Sequence, residues 1–103
     1  MTLQLIIAPA AKADLADIYA YSQNTWGEQQ ADDYMAQLKN TLWLLTEQPD
    51  MGADRSELAT SLRGFPVQQH TVFYRRKDEE LQIALILHGR QDPTRHAIET
   101  PKP

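Results

Sequence analysis

The chain begins with a short apolar run, and a segment of helical periodicity follows it. Residues 3–7 form the apolar run, which Pro9 ends, and this pattern is typical of a mostly buried strand. Pro9 suits the first turn of a helix, where its missing N–H costs nothing. From Ala11 onward the spacing predicts an amphipathic helix whose inward side carries Leu15, Ile18, Tyr19 and Ser22.

A second helix follows after a break at residues 24–27, where asparagine and glycine interrupt the periodic pattern. The pattern predicts that it runs from about residue 28 to residue 47, and Pro49 stops it. Its inward stripe consists of Ala31, Tyr34, Met35, Leu38, Leu42 and Leu45. Because the break is short, the two helices should form an antiparallel hairpin.

The second half of the chain changes to strand-like runs. Residues 48–60 are polar and contain proline and glycine, which predicts a surface loop, and strands are predicted at 62–67, 71–76 and 82–88. The last strand is apolar at both its odd and its even positions, so it should lie at the sheet centre with both faces covered. The order β-α-α-β-β-β predicts an α+β fold, with the hairpin packed on one face of an antiparallel-dominated sheet. The expected core contains Leu5, Leu15, Ile18, Leu38, Leu42, Leu45, Val72, Ile83 and Leu85.

Length and composition indicate one globular domain. At 103 residues, with 42% hydrophobic and 23% charged positions, we expect a single domain at residues 1–92 and a loosely ordered tail at 93–103. No apolar run approaches the ~20 residues of a membrane span, and no signal peptide is evident, so a cytoplasmic location is expected. The absence of cysteine excludes a disulfide framework and cysteine catalysis.

The charge is distributed unevenly along the chain. Residues 1–54 have two lysines against eight acids, a net −6, whereas residues 55–103 have eight basic residues against six acids, a net +2. Since phosphate contacts dominate DNA binding, this net-acidic chain is poorly suited to hold duplex DNA unaided. The balance favours a protein partner, and an acidic helical layer suits a partner that supplies basic and apolar groups from an amphipathic arm.

One group of residues is a candidate for chemistry: Arg63, Arg75, Arg76, His88 and Arg90, at or near strand ends. A twisted sheet could bring several of them together, and in-line attack on a phosphodiester needs an acid, a base and cations. The alternative is structural: the arginines pair with acids, and His88 is a hydrogen-bonded strand-end residue. The acids considered as partners of Arg63 and Arg75 are Asp54, Glu57 and Asp92.

The remaining candidates are aromatic residues and histidines. Trp43 lies about 140° from the direction of Leu38 around the second helix, so it faces outward. It is then either a partner surface or covered by the first helix or by the loop. Trp26 falls on the core side of the first helix and is interpreted as a structural plug. His70, His88 and His96 are scattered, so neither a metal site nor a cofactor is expected.

Four segments in this order closely resemble the ParE branch of the RelE/ParE toxin superfamily: PAAKADL at 9–15, LRGFPV at 62–67, VFYR at 72–75 and LHGRQD at 87–92. The resemblance implies a RelE/ParE-like fold and the toxin of a type II toxin–antitoxin system for plasmid or chromosome maintenance. Such a toxin is not an enzyme, and it inhibits DNA gyrase by binding it. A ParD-type ribbon-helix-helix antitoxin neutralises it and alone contacts operator DNA. The predicted antitoxin- or target-binding residues are Tyr21, Trp43, Arg63, Arg75, His88 and Arg90.

Two rival functions remain open. The first is a ribosome-dependent endoribonuclease of the RelE kind. Those nucleases commonly have a tyrosine or a second histidine near the C-terminus, and this chain has no tyrosine after Tyr74. The second is a binding module of the same fold that has lost toxicity.

Overall fold

The computed structural model of the protein describes residues 2–89, 91 and 93, and it confirms the predicted α+β class. The elements are β1 (Gln4–Ile7), α1 (Pro9–Trp26), α2 (Glu28–Glu47), β2 (Ala53–Asp54), β3 (Arg63–Val67), β4 (His70–Lys77) and β5 (Glu80–His88). The expectation of a loosely ordered tail falls on residues that, apart from 93, lie outside this description.

The strands form one sheet in the order β1-β5-β4-β3-β2. Only β1 and β5 pair in parallel, so the antiparallel-dominated sheet is confirmed. β5 lies inside the sheet and is buried from Leu81 to Leu87, as its apolar sequence predicted, although β4 occupies the central position. The prediction that β1 is mostly buried was wrong: it is half-buried because it forms an edge of the sheet.

A single residue, Gly27, connects the two helices of the hairpin. α2 has the predicted bounds, but α1 continues to Trp26, so the predicted four-residue break is reduced to Gly27. The Gly27 N–H donates to the Gln23 carbonyl, and its own carbonyl accepts from the Ala31 N–H. With φ at 93°, Gly27 adopts a conformation that residues with a Cβ rarely reach, so it can end one helix and begin the next.

The main core lies between the hairpin and one face of the sheet. Leu38, Leu45 and Ile83 are completely buried there, and Leu42 and Val72 join them. Of the nine predicted core residues, seven are buried, whereas Leu5 and Leu15 are only half-buried against the cluster. Leu5 belongs to the edge strand β1, which explains its partial exposure.

The segment predicted as a surface loop contributes more structure than expected. Residues Ala53–Asp54 pair with β3 as β2, and Leu58 packs on a second apolar cluster on the sheet face opposite the helices, beside Leu62 and Phe73. Tyr74, in β4, holds the start of this segment: its hydroxyl donates to the Pro49 carbonyl and accepts from the Gly52 N–H, both at 2.8 Å.

β5 pairs irregularly with β4 and forms a hydrogen bond with α1. Phe73 pairs with Leu85 and Tyr74 with Ile83, so Ala84 is an extra residue in β5. Beyond the end of β1, the Ile86 N–H donates to the Asp14 carboxylate of α1 at 2.9 Å, which satisfies a backbone donor that no strand reaches. Within the described residues, neither helix is apolar enough over the required length to cross a membrane.

Candidate functional site

The predicted basic cluster divides between the two ends and the two faces of the sheet. Arg63 pairs with Tyr74 and shares the helix-side face with Arg76, whereas Arg75 lies on the opposite face. His88 pairs with His70 at the other end of β4, about 17 Å from Arg75 at ~3.4 Å per residue. Of the four described members of the set, therefore, Arg63 and Arg76 lie close together, whereas Arg75 and His88 lie apart from them and from each other.

Arg63 is held by the loop that precedes β2. Its Nη1 donates to the Gly52 carbonyl at 2.8 Å, and its Nη2 lies 3.8 Å from the Asp50 carboxylate. Arg63 thus forms a structural ion pair, but with Asp50, which was not among the expected partners. The pKa of Asp54 is lowered mainly by the Ser56 N–H and hydroxyl, and least by Arg63. Arg63 therefore stabilises the loop.

Beside Arg63, a hollow of about 380 Å³ opens against the same loop. Its lining includes charges of both signs, Asp50 and Asp54 together with Arg63 and Arg76. Because acidic and basic side chains both line this hollow, it favours neither a cation nor an anion.

Arg75 is the unusual member of the set. It is half-buried, its Nε atom is buried without a hydrogen bond, and it forms no ion pair with any residue that the structure describes. The predicted pairing with Glu57 was wrong, because Glu57 binds Arg55 at 2.8 Å, and Asp92 lies outside the described residues. The neighbour of Arg75 across the strands, Gln82, is 3% exposed and has an unbonded side-chain oxygen. Such unsatisfied groups are costly in a free protein and suit a contact site.

Two histidines that are far apart in sequence meet at the other end of the sheet. The His70 and His88 rings stand edge to face with centroids 5.3 Å apart, and the Tyr34 hydroxyl lies 2.6 Å from His70 Nδ1. The prediction that the histidines are scattered was wrong for this pair, because hairpin register brings them together. Within the described part of the chain, no third metal-ligating side chain completes a group of three with them. The Tyr34 hydroxyl also lies 3.1 Å from the Val67 carbonyl.

His70 should make stability depend on pH. Burial, and next the charge of His88, lower the pKa of His70 from its ordinary value of 6.5. The unfolded chain therefore binds this proton more tightly, so the stabilisation is complete above pH ~6.5 and is lost as pH falls through the folded pKa. We expect the urea midpoint to fall between about pH 7.5 and 5.5, and to fall less in His70→Gln. Parallel curves for the two proteins would contradict this assignment.

The segment after β5 is tied back to the sheet. The Gly89 N–H donates to the Gln69 carbonyl at 2.8 Å, and the Gln91 N–H donates to the His88 carbonyl at 2.9 Å. In return, the Gln91 side-chain oxygen accepts from the His88 N–H at 2.7 Å. The backbone of His88 is thus fixed by its neighbours. Arg90, the last predicted contact residue, lies outside the described residues.

The exposed aromatic side chains lie on the helical hairpin. Trp43 is 58% exposed, so neither α1 nor the loop covers it, and its outward direction is confirmed. Tyr21 is 63% exposed and meets Trp26 edge to face at 6.0 Å. Trp26 was wrongly expected to be a core plug: it is the last residue of α1, at the tip of the hairpin, and is 41% exposed.

A hollow of about 380 Å³ lies between this tip and the β3–β4 turn, and the sequence did not reveal it. We call it the tip hollow; it is lined by Trp26, Gln30, Asp33, Tyr34, Gln37, Gln68 and Gln69. The four members from α2, at positions 30, 33, 34 and 37, share one face of that helix, which the sequence spacing shows. Trp26 comes from α1, and the two glutamines of the turn come from a distant part of the chain.

Comparison with known proteins agrees with this arrangement. A solved structure described as a chromosomal ParDE TA system from P. aeruginosa has the same fold, with a TM-score of 0.74, 22% identity, and coverage of 84% of this chain and 96% of that one. Toxin ParE1 of Caulobacter vibrioides is 37% identical over 86 residues, which cover 84% of this chain and 88% of the relative.

Two further relatives are also ParE toxins by name. Toxin ParE of Escherichia coli is 34% identical over 88 residues, covering 84% of this chain and 85% of the relative. Toxin ParE1 of Mycobacterium tuberculosis is 29% identical over 97 residues, covering 93% of this chain and 99% of the relative. The family model described as "ParE toxin of type II toxin-antitoxin system, parDE" covers residues 5–93. The chain therefore belongs to the ParE toxin family of type II toxin–antitoxin systems.

Proposed function

We propose that this ParE-family toxin acts in the cytoplasm by binding and inhibiting DNA gyrase, and that a ParD-type antitoxin neutralises it. The observation that carries the proposal is the family membership over residues 5–93. The antitoxin would supply a ribbon-helix-helix DNA-binding end and a flexible arm that wraps the toxin. Operator DNA is then contacted through the antitoxin, in agreement with the net charge of −4 of this chain.

The surface supports action by binding. Trp43, Tyr21 and Leu44 are large apolar side chains that are at least 40% exposed, and together they supply the aromatic and aliphatic anchors that interfaces use. Arg75 adds a half-buried guanidinium without a counter-ion among the described residues. A partner arm with apolar anchors and acids would cover both kinds of group.

Co-expression tests this assignment. We expect growth arrest when the chain is expressed alone, and rescue when the neighbouring gene product is expressed with it. The two proteins should purify as one complex that buries more than ~1,000 Å². Growth without any phenotype would favour a module that has lost toxicity, and a toxin that stays unbound beside its neighbour's product would contradict the antitoxin assignment.

One observation favours the runner-up, a ribosome-dependent endoribonuclease. The imidazole ring of His88 lies beside that of His70, and the Tyr34 hydroxyl contacts His70 in turn. One cluster thus contains groups that could act as an acid and a base. Two features weigh against catalysis: His70 Nδ1 is engaged by the Tyr34 hydroxyl, and burial disfavours its protonated form.

His88→Ala separates the two functions. If the chain acts by binding, we expect this change to cost about 1 kcal/mol of stability and to leave toxicity intact. If His88 is a general base, toxicity should disappear together with the mRNA cuts. Growth after expression of each protein measures toxicity, and primer extension on cellular mRNA detects the cuts. Lys77→Ala, which changes an exposed residue on the neighbouring strand, is the matched control.

A further inference from the structure

The tip hollow combines an aromatic wall with a ring of hydrogen-bond acceptors. Trp26 supplies the wall, and its partial exposure leaves indole surface available to a ligand. The negative face of an indole attracts a cation, and tryptophan does so best among aromatic residues. Tyr21, which does not line the tip hollow, meets the indole at 6.0 Å with the two ring planes nearly perpendicular. This contact helps to hold Trp26 in place before any ligand binds.

The acceptors in the tip hollow come from Asp33 and from side-chain amides. Asp33 is its one charged lining residue among those described, and one of its carboxylate oxygens accepts from Gln29 at 3.2 Å. The side-chain amides of Gln30 and Gln69 make no hydrogen bond with any described residue, so their carbonyl oxygens are available. The side-chain oxygen of Gln37 already accepts a hydrogen bond from the Gln68 amide at 2.8 Å, so we do not count it among the available acceptors.

The surrounding charge has the same sign. Residues 9–47, the helical hairpin, contain six acids against two lysines. None of the side chains described as lining the tip hollow is basic. An anionic ligand would thus meet Asp33 and the net negative charge of the hairpin, whereas a cationic one is attracted by both and by the indole.

We propose that the tip hollow binds an arginine side chain from the arm of the antitoxin. The guanidinium lies against Trp26, and its N–H groups donate to Asp33 and to the carbonyl oxygens of Gln30 and Gln69. Arginine suits this site better than lysine, because its planar fork carries five donors and stacks on aromatic rings. The class of ligand follows from the hollow itself, and the identification of its source rests on the proposed function.

Binding of a small arginine probe tests the chemistry. The probe is N-acetyl-arginine N-methylamide, and N-acetyl-citrulline N-methylamide is its neutral isostere. In NMR titrations of the full chain, we expect a saturable shift of the Trp26 indole N–H with the arginine probe, while the Trp43 indole serves as an internal reference. Asp33→Asn should weaken binding about tenfold, as should Trp26→Ala, whereas Trp26→Phe should weaken it less. The matched control, Asp17→Asn, removes an exposed acid of α1 and should leave binding unchanged.

Equal shifts with the arginine and citrulline probes, or equal affinities of Asp33→Asn and the wild-type chain, would overturn the proposal. In the full complex, Asp33→Asn and Trp26→Ala should release the antitoxin about tenfold more readily, and the same loss should follow replacement of one arginine in its arm. If the antitoxin binds both variants as tightly as the wild-type chain, the arginine site in the tip hollow is disproved, but the proposed function is not. Failure of the wild-type chain to bind any antitoxin overturns the proposed function instead.

Discussion

Gly52→Ala is expected to destabilise the folded chain by about 3 kcal/mol. A Cβ at position 52 would stand 2.5 Å from the Tyr74 hydroxyl, 2.9 Å from the Tyr74 ring and 3.0 Å from the Gly64 carbonyl. Tyr74 is completely buried, so the ring cannot swing into solvent, and any shift breaks its bonds to Pro49 and Gly52. The free energy of unfolding, measured in urea, reports this loss.

Two further variants isolate the cause. Gly89→Ala adds the same methyl group at a roomier position. Apart from the chain neighbours, the nearest atom of the described residues is the Gln69 carbonyl oxygen at 3.6 Å, so we expect a change within ~0.5 kcal/mol. Tyr74→Phe removes the closest of the clashing atoms, so the double variant Gly52→Ala/Tyr74→Phe should be more stable than the two separate losses predict. Strict additivity, or equal losses at positions 52 and 89, would contradict this account of the loop.

Arg75→Met is expected to weaken antitoxin binding by about 2 kcal/mol, or roughly thirtyfold, while changing the stability of the free toxin by less than ~1 kcal/mol. The stability should change little because Arg75 has no hydrogen bond or ion pair within the described residues, so its replacement breaks no internal polar contact. Methionine keeps the apolar stem that is half-buried on the sheet. Calorimetric titration of the antitoxin gives the affinity, and urea unfolding gives the stability.

Arg63→Met should show the reverse pattern. Its guanidinium binds the Gly52 carbonyl at 2.8 Å, so the loss should appear as about 1 kcal/mol or more of stability in the free chain. Lys77→Met, an exposed change on the same strand as Arg75, is the control for charge alone. Equal affinities of the Arg75→Met and Lys77→Met variants for the antitoxin would show that Arg75 is not a contact residue.

The fold could be read from the sequence where local pattern and tertiary packing agree. The stripe of Leu38, Leu42 and Leu45 recurs at helical spacing, so it both predicts α2 and fills the core. The two-residue strand β2 could not be predicted, because Ala53 and Asp54 have little strand preference and pair only through the long-range contact with β3. Trp26 was misplaced because the end of α1 depends on Gly27 rather than on the polar residues before it.

The site was less predictable for a related reason. Arg63, Arg75 and His88 share a residue class and strand-end positions in the sequence, yet alternation of faces and strand direction separate them. Conversely, His70 and His88 become neighbours through the register of β4 and β5, which depends on the irregular pairing at Ala84. Glutamines of the β3–β4 turn join the tip hollow in the same way. Pairing register is a property of the whole sheet, so residue spacing alone does not determine it.

A DNA supercoiling assay with purified gyrase, run beside a ribosome-dependent mRNA cleavage assay, directly distinguishes inhibition by binding from catalysis. We expect the chain to inhibit supercoiling, purified antitoxin to reverse the inhibition, and His88→Ala to inhibit as well as the wild-type chain. We also expect no mRNA cleavage. Site-specific mRNA cuts that vanish in His88→Ala, with supercoiling unchanged, would exclude gyrase inhibition and assign the chain to the ribonucleases.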